Sequence, residues 1–377
     1  MKNEIIQALL DTLYSSTEYV SGELLSRRFG VSRAAVSKAI QSLTAAGWPI
    51  ESVKHYGYRL SHLPDLLVEP ILSDTLHRQG VRHFASSVQA WPSLDSTNLA
   101  ARRGVEAGDP DGSLYVADEQ TAGRGRRGKT WRSASGEGLW FSLLLIPDFA
   151  PELMARITLF AGLCAATALR ELTSLDIRLK WPNDLVVLPE GRKLGGILTE
   201  MMVEENHIAG VIVGIGINVS TPEFPPELSA IATSLELAIR SANPGKPGHS
   251  SDNPAPADPA KTRPTRIELL AAILKQFENR WPDYNRMIKP NRTTDMGVST
   301  DPSGSADILE PVWMDEYRAI CATVGRPVQV TDAHGDSREG LAVTVAPSGD
   351  LVVRWPDGHE TLVSAGEVSV RGLLGYT

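Results

Sequence analysis

A short segment rich in glycine and arginine limits most strongly what this chain can fold into. Residues 123–129 are Gly-Arg-Gly-Arg-Arg-Gly-Lys and lie between two apolar runs, Leu114–Glu119 and Leu139–Ile146, that have the composition of strands. Its glycines allow many backbone conformations, and its positive charges repel one another with little apolar surface to bury. The sequence therefore predicts a loop that is mobile when empty and can fold over a polyanion such as a triphosphate, because guanidinium groups suit phosphate oxygens.

The same stretch, Gly123–Thr130, matches the phosphate-binding pattern G-x-x-x-x-G-K-[ST] by letter. That motif needs a helix to begin at its Lys-Ser/Thr end. Here Trp131, Gly136 and Gly138 follow, with no apolar period of 3.6 residues. We therefore reject a P-loop NTPase fold but still expect this loop to bind phosphate groups. A basic loop for nucleic acid is the other alternative, and the acidic surroundings disfavour it.

Composition places the chain among soluble globular proteins of two or three domains. Its 377 residues carry 37 Lys and Arg against 45 Asp and Glu, which disfavours nucleic-acid binding by the whole surface but permits one basic module. No apolar run approaches a membrane span and no signal-peptide core is present, so we expect a cytoplasmic protein without a membrane partner. With only Cys164 and Cys321, a disulfide framework is excluded. The histidines show no ligand spacing, and we expect no zinc site.

Residues 1–62 are net basic, unlike the rest of the chain, which indicates a separate module with its own partner. Apolar residues at helical spacing over 5–13 predict a first helix. Ser21 and Gly30 are placed as the N-cap and C-cap of a second helix, Gly22–Phe29. Ser32 caps a third helix whose predicted buried stripe is Ala35, Val36, Ala39, Ile40 and Leu43.

Helix, short glycine turn and helix predict a helix-turn-helix whose last helix reads the DNA major groove. Ile50–Leu60 predicts a β-hairpin wing with His55, Tyr56 and Gly57 near its tip. The alternative is a generic structural three-helix domain, which the basic charge and the polar exposed face disfavour. The predicted DNA-binding residues are Arg33, Ser37, Lys38 and Gln41.

From residue 63 to about 240, helical and strand patterns alternate, which predicts an α/β or α+β domain. Asp95–Asn98 precedes a helical stretch, Leu99–Glu106, and taken alone it is best explained as an N-cap cluster, although such a start also offers hydroxyl and N–H groups to a ligand. A helix is predicted over Leu153–Leu172. The strands predicted for an antiparallel meander are Ile177–Trp181, Leu185–Leu188, Lys193–Met201 and His207–Val219.

Two features of this meander bear on ligand binding. Lys180 and Lys193 lie beside its turns, and Gly195-Gly196 removes side chains that would block the backbone from a ligand. Gly214-Ile215-Gly216 resembles the start of a dinucleotide fingerprint, but a third glycine is missing and the run is strand-like. These residues therefore do not favour a dinucleotide-binding fold.

The C-terminal part is predicted to begin with helices over Thr265–Ile288 and Val312–Ala322. Short strands then recur at Val328–Thr331, Leu341–Ala346, Leu351–Trp355 and Glu360–Val363, with turns between them. This pattern suggests a small SH3-like β-barrel. A structural cap and a direct role in nucleotide or acceptor contact are equally open for it.

Five motifs stand in the order found in the biotin–protein ligases, and the chain resembles that family over nearly its whole length. With the N-terminal winged helix it is similar to those ligases that also repress the biotin operon. The motifs are Asp95-Ser96-Thr97-Asn98, Gln120 with Gly123–Gly128, Lys180–Asp184, Arg192–Leu198 and Gly214–Asn218.

The resemblance implies an α+β chain: a winged helix-turn-helix over 1–62, a mixed-sheet ligase domain over 63–323 and an SH3-like domain over 324–377. It implies formation of biotinyl-5′-AMP from ATP and biotin, with Mg²⁺, and transfer of biotin to a lysine of a biotin carboxyl carrier protein. It also implies operator DNA and a ligand-promoted homodimer. Two alternatives stay open: a lipoate- or octanoate-type ligase and a non-catalytic ligand-sensing regulator.

The resemblance also assigns residues. Lys193 and Arg126 are the expected catalytic residues. Those expected to bind biotin are Ser96, Thr97, Asn98, Gln120, Arg124, Gly125, Arg126 and Lys193. Those expected to bind ATP are Trp131, Lys180, Asn183, Asp184 and Asn218.

The chain departs from the family in three places. Lys129 stands where some relatives carry arginine. The positive charge is kept, but a lysine cannot make the paired hydrogen bonds of a guanidinium group. Two polar stretches, about 241–264 and 289–306, predict disordered surface insertions.

Overall fold

The computed structural model describes residues 2–14, 16, 18–45, 48–61, 65–146, 154–204, 207–242, 263–288, 310–332, 335–365 and 369–372. Their contacts divide the chain into two compact units, Met1–Leu66 and Leu67–Thr377. The two predicted insertions lie outside the described residues, apart from residues 241, 242, 263 and 264. No helix among the described residues has both the length and the hydropathy of a membrane span.

The N-terminal unit is a winged helix-turn-helix, as predicted. Its helices are α1 (Lys2–Tyr14), α2 (Gly22–Phe29) and α3 (Arg33–Ala45), followed by the hairpin β1 (Ile50–Val53) and β2 (Gly57–Leu60). The Ser21 hydroxyl accepts the Leu24 N–H at 3.1 Å, and Gly30 ends α2 in the left-handed region. Both predicted caps of α2 are confirmed.

The buried face of α3 is narrower than the sequence predicted. Val36, Ile40 and Leu43 are buried, whereas Ala35 is exposed and Ala39 is half-buried. Positions i, i+4 and i+7 share one helical face, and Ala35 lies about 100° round the axis from Val36. The prediction of a buried Ala35 was therefore wrong.

The wing depends on a glycine that approaches another part of the chain. Gly57 has φ 119°, and a Cβ there would lie 2.2 Å from the Val20 carbonyl oxygen. Val20 pairs with Tyr58 through two backbone hydrogen bonds of 2.8 and 3.0 Å. His55 lies between the two strands and has a φ of 72°, which is typical of a tight turn. The turn therefore lies where the sequence predicted the tip of the wing.

The second unit is built on a seven-stranded sheet with the order β3-β4-β5-β9-β8-β7-β6. β3 and β4 are parallel, and the other neighbours are antiparallel, which confirms the predicted meander. The strands are β3 (Val88–Leu94), β4 (Ser113–Gln120), β5 (Gly138–Leu145), β6 (Ile177–Lys180), β7 (Asp184–Val187), β8 (Arg192–Glu204) and β9 (His207–Asn218).

Helices cover this sheet and complete its core. Phe160 on α6 packs against an aromatic group on α9 that contains Phe277, Trp281 and Tyr284. Cys164 on α6 is fully buried, as expected of a small core residue. The helices of this unit are α4 (Glu69–Arg78), α5 (Thr97–Ala107), α6 (Met154–Thr173), α7 (Pro226–Ser229), α8 (Leu235–Ala242), α9 (Arg266–Ile288) and α10 (Met314–Ile320).

A five-stranded antiparallel sheet ends the chain, with the order β13-β12-β11-β10-β14. Its strands are β10 (Pro327–Thr331), β11 (Ser337–Val345), β12 (Leu351–Arg354), β13 (Glu360–Val363) and β14 (Ser369–Gly372). The sequence predicted the first four, and β14 was missed. Two hydrogen bonds join the turn between β11 and β12 to the rest of the unit. Trp181 Nε1, just after β6, donates to the Gly349 oxygen at 3.0 Å, and Arg156 Nε on α6 donates to the Pro347 oxygen at 2.7 Å.

The wing glycine gives a first prediction. Gly57→Ala should lower the free energy of unfolding of the N-terminal unit by clearly more than Gly30→Ala. At Gly30 nothing lies within 4 Å of a built Cβ, so only the left-handed conformation is penalised, by about 1–2 kcal/mol. Hydrogen–deuterium exchange of the hairpin in the full chain measures the difference. Equal protection in the two variants would contradict the close approach to Val20.

Candidate active site

One cavity of about 880 Å³ gathers all thirteen residues that the sequence predicted to bind small molecules. They come from the start of α5, the end of β4, the basic loop, the turn between β6 and β7, and strands β8 and β9. These residues are Ser96, Thr97, Asn98, Gln120, Arg124, Gly125, Arg126, Trp131, Lys180, Asn183, Asp184, Lys193 and Asn218.

The start of α5 forms one wall, and it is not capped as the sequence suggested. Ser96 occupies the N-cap position, but its side chain makes no capping hydrogen bond. Instead the Thr97 N–H donates to Gln120 Oε1 at 2.8 Å. A side chain from β4 thus satisfies the helix end, which leaves Ser96 to line the cavity. The predicted N-cap cluster does stand at the start of the helix, with Ser96 at the N-cap position, but the capping hydrogen bond from the Ser96 side chain is not made.

Beneath this wall lies a buried network of polar side chains. Ser142 on β5 lies 2.8 Å from Thr97 Oγ1 and 2.7 Å from Asn98 Oδ1. Gln120 Nε2 donates to Ser133 Oγ at 2.8 Å. Buried polar groups held in this way have fixed orientations, so the wall presents a rigid set of donors and acceptors.

Two glycines of β9 make room for side chains of the site. A Cβ at Gly214 would lie 2.0 Å from Asn98 Oδ1, and a Cβ at Gly216 would lie 2.8 Å from Trp131 Nε1. Both glycines lie within a strand that pairs along its length with β5 and β8. Their function is therefore to admit Asn98 and Trp131, and they do not form the turn of a dinucleotide-binding fold.

The basic loop has a defined path. The Gly125 N–H donates to the Lys129 oxygen at 2.7 Å, and Arg127 occupies the left-handed region with φ 56°. Thr130 pairs with Arg124 in an isolated bridge, and the chain then leads into strand β5 rather than a helix. The rejection of a P-loop is confirmed.

Arg126 connects this loop to two other parts of the unit. Its Nη1 donates to Asn183 Oδ1 at 3.1 Å, and its Nη2 donates to the carbonyl oxygen of Ala365. Burial lowers the pKa of the guanidinium from its usual value. Ala365 lies between β13 and β14, so the C-terminal sheet takes part directly in arranging the site.

Lys193 is held between an acid and an aromatic ring. Its Nζ lies 2.6 Å from Asp184 Oδ1 and 5.1 Å from the centroid of the Trp131 ring. Its backbone is also fixed, because it accepts a hydrogen bond from Thr233 and donates one to Ile231. The ammonium group therefore points at the same part of the cavity as Asp184 and Trp131.

The cavity carries an excess of positive charge. Its lining includes seven arginines and lysines and three acids, Glu137, Asp184 and Glu190. The cations are Arg124, Arg126, Arg127, Lys129, Arg132, Lys180 and Lys193. Lys180 is buried, and a buried cation in a cavity favours an anionic ligand.

In the N-terminal unit, the four predicted DNA-binding residues lie on α3. Arg33, Lys38 and Gln41 are exposed, and Ser37 is half-buried. Arg33, Ser37 and Gln41 are spaced by four residues and share one face of the helix. Tyr56 at the wing tip is 68% exposed.

Comparisons with known proteins agree with this architecture. Residues 91–218 match the biotin/lipoate A/B protein ligase family, residues 6–59 match a helix-turn-helix domain, and residues 323–371 match the biotin protein ligase C-terminal domain. A bifunctional ligase/repressor BirA from Bacillus subtilis (strain 168) is 35% identical over 277 residues, which are 72% of this chain and 76% of that protein. The chain belongs to the bifunctional biotin ligase and repressor family. It is therefore an enzyme of the biotin ligase class joined to a DNA-binding module.

Other members of the family resemble the chain along most of its length. The biotin–[acetyl-CoA-carboxylase] ligase of Mycobacterium tuberculosis is 28% identical over 74% of this chain and 89% of its own length. A solved structure of the biotin protein ligase from Aquifex aeolicus, in complex with biotin and ATP, superposes with a TM-score of 0.55 at 26% identity. It covers 76% of this chain and 99% of that protein.

Three residues of the ligase site were missed by the sequence analysis: Ser142, Glu200 and Ala365. Glu200 Oε2 accepts a hydrogen bond from Asn98 Nδ2 at 2.7 Å. Ser142 and Glu200 lie in strands that look like ordinary β sequence, and Ala365 acts through its backbone. The register of strands that are distant in the chain reveals Ser142 and Glu200, and the contact with Arg126 reveals Ala365.

The excess positive charge gives a second prediction. Inorganic triphosphate should bind the ligase cavity, and binding should weaken as salt concentration rises. Lys193→Met and Arg126→Met should each weaken it about ten-fold or more, because each removes a charge-assisted hydrogen bond. Isothermal titration calorimetry at several salt concentrations measures this. Arg102→Met, an exposed residue of α5 that does not line the cavity, is the control, and an equal loss there would contradict a local site.

Proposed function

We propose that this chain activates biotin with ATP and transfers it to a lysine of a biotin carboxyl carrier protein. In the first step a biotin carboxylate oxygen attacks the α-phosphorus of ATP, giving biotinyl-5′-AMP and pyrophosphate. In the second step the lysine amine attacks the acyl carbon and AMP leaves. Both reactants of the first step are anions, so the cavity must offset their repulsion. The observation that carries this proposal is the gathering of the thirteen predicted residues in one cation-rich cavity.

The polar wall is assigned to the biotin head group. Its ureido ring offers two N–H donors and one carbonyl acceptor, which is the kind of ligand that a fixed set of hydroxyl and amide groups recognises. We assign Ser96, Thr97, Asn98 and Gln120 to this ring, and Arg124, Gly125 and Arg126 to biotin and to closure over the adenylate. Support comes from the burial of Ser96, Thr97 and Asn98, which are 2%, 3% and 4% exposed.

Lys193 is assigned to the reacting groups, where it would contact the carboxylate and phosphoryl oxygens. Asp184 and the Trp131 ring hold its ammonium group in one orientation before the ligands arrive. The nucleotide is assigned to Trp131, Lys180, Asn183, Asp184 and Asn218. Trp131 Nε1 is buried without a hydrogen-bond partner among the described residues, so a ligand acceptor would satisfy it.

The acidic residues present fit a Mg²⁺ ion bound mainly by phosphate oxygens and water. Asp184 would supply one carboxylate, which agrees with how proteins usually hold Mg²⁺ beside nucleotides. The described residues contain no cluster of three or more metal-ligating side chains, so a closed protein cage is not the fitting arrangement. When bound, the ion would neutralise phosphate charge.

The N-terminal unit is proposed to bind operator DNA and to repress transcription, with α3 in the major groove. The proposed division is 1–62, 63–323 and 324–377, supported by the separate unit Met1–Leu66 and by the family match over 323–371. A ligand-promoted homodimer is proposed from family membership. Sedimentation of the full chain with and without biotin and ATP tests it, and a monomer in both conditions would contradict it.

A lipoate- or octanoate-type ligase is the second candidate, because the matched family model covers lipoate ligases as well. The network around Thr97, Asn98 and Gln120 favours biotin. Neither the dithiolane ring of lipoate nor an alkyl chain has N–H groups to satisfy a buried polar wall.

Biotin-dependent ATP–pyrophosphate exchange tests the proposed reaction. We expect exchange with biotin and none with lipoate or octanoate. Lys193→Ala and Arg126→Ala should each lower the exchange rate by about 10²-fold or more, since each removes a donor to developing charge, while circular dichroism stays unchanged. The control is Arg102→Ala. Full exchange in either site variant would remove that assignment, and exchange with lipoate alone would favour the second candidate.

The DNA-binding assignment gives a further prediction. On double-stranded DNA at low salt, Arg33→Ala and Lys38→Ala should weaken binding of the full chain, and loss of one phosphate contact should reduce the salt slope by about 0.9. Gel shifts over a range of salt concentrations measure this. Arg102→Ala, in the other unit, should bind as the unmodified chain does. Unchanged binding in both α3 variants would contradict the proposed reading helix.

A further inference from the structure

Glu200 on β8 contacts two of the residues assigned to biotin, although it does not line the cavity itself. Its Oε2 accepts a hydrogen bond from Asn98 Nδ2 at 2.7 Å, and its Oε1 lies 3.5 Å from Arg124 Nη1. The side chain is 29% exposed, so the contact to Arg124 is partly screened by water. The contact to Asn98 is the better protected of the two, because Asn98 is buried.

The orientation of the Asn98 amide follows from its neighbours. Nδ2 faces Glu200 Oε2 and, at 3.3 Å, the Leu198 oxygen. Both are acceptors only, so the NH₂ group must point toward them and Oδ1 must point the other way. Oδ1 then lies 2.7 Å from Ser142 Oγ.

The proton positions along the network follow in turn. Asn98 Oδ1 can only accept, so the single hydroxyl proton of Ser142 is committed to it. Thr97 Oγ1 lies 2.8 Å from Ser142 Oγ and 3.2 Å from Gln120 Oε1. The Thr97 hydroxyl therefore donates its proton to one of these two acceptors. Thr97 therefore retains lone pairs for a ligand and has no proton to offer it.

We propose that Glu200 is a positioning residue that sets this direction of donation and thereby makes Thr97 an acceptor for a ligand N–H. The inference rests on the proposed function, in which the ureido ring of biotin supplies that N–H. Without Glu200 the Asn98 amide is held by the longer bond to Leu198 alone and can turn over. Ser142 would then accept from Asn98 and donate to Thr97. That bond occupies a lone pair that Thr97 otherwise keeps for the ligand N–H, and it turns the Thr97 proton from Ser142 toward Gln120 Oε1 or the ligand.

Biotin affinity of the full chain, measured by isothermal titration calorimetry, tests the role of the acceptor. Glu200→Ala should weaken biotin binding about ten-fold or more. Glu200→Gln retains an oxygen that can accept from Asn98 and should remain within about three-fold of the unmodified chain. Glu204→Ala and Glu204→Gln, at an exposed position of the same strand, are matched controls and should not change affinity. An equal loss in the Ala and Gln variants of Glu200 would show that its charge matters through Arg124, and would overturn the proposal.

Biotin methylated on each ureido nitrogen in turn separates positioning from a general structural effect. The unmodified chain should prefer biotin strongly over at least one methylated form, and Glu200→Ala should reduce that preference. If Glu200→Ala does not fold, Ser142→Ala breaks the same chain of donors and should reduce the preference likewise. A preference that stays constant while both ligands bind more weakly would overturn the proposal. Failure of the unmodified chain to bind biotin would instead overturn the proposed function.

Discussion

The pairing of β5 between β4 and β9 is the constraint on which the site depends. β5 is buried along its whole length, and its register places Ser142 opposite Tyr115 on one side and Gly214 on the other. Gly214 in turn pairs with Leu198 of β8. A shift of one residue would turn every side chain of a strand to the opposite face. The polar wall therefore exists only because these strands hold one register.

Apolar and polar residues stabilise this wall in different ways. Apolar residues of β5, α6 and α9 fix the backbone, and a few buried polar groups then fix one another. A buried hydroxyl or amide without a partner costs about 1–3 kcal/mol, so each member of the network constrains the next. The C-terminal sheet extends the same principle to the basic loop, because the Ala365 carbonyl gives Arg126 a fixed acceptor at a place where the loop itself is rich in glycine.

Local signals in the sequence were sufficient for much of the fold. Ser21 and Gly30 predicted the limits of α2, and the alternating strands and turns predicted the antiparallel meander. The thirteen cavity residues could be grouped because they lie in motifs whose order resembles one family. Each cap, strand, turn and motif is a short segment of the chain, and only the order of the motifs extends over a longer distance.

No comparable local signal exists where a distant partner decides the structure. Ser96 has the residue type of a helix cap, but Gln120 satisfies the helix end in its place. β14 is four residues long and is held by pairing with β10, about forty residues earlier in the chain. Glu200 resembles any acid in a strand until register brings it to Asn98. These roles depend on contacts between segments that are distant in the chain, so no local sequence pattern predicts them.

A crystal structure of the full chain with biotin bound tests the central claim most directly. The account predicts the ureido ring at the wall formed by Thr97, Asn98 and Gln120, and the carboxylate directed toward Lys193. It also predicts Arg126 held by the Ala365 carbonyl, and Glu200 in contact with Asn98. Biotin bound elsewhere in the chain, or bound with its carboxylate at this wall, would contradict the account.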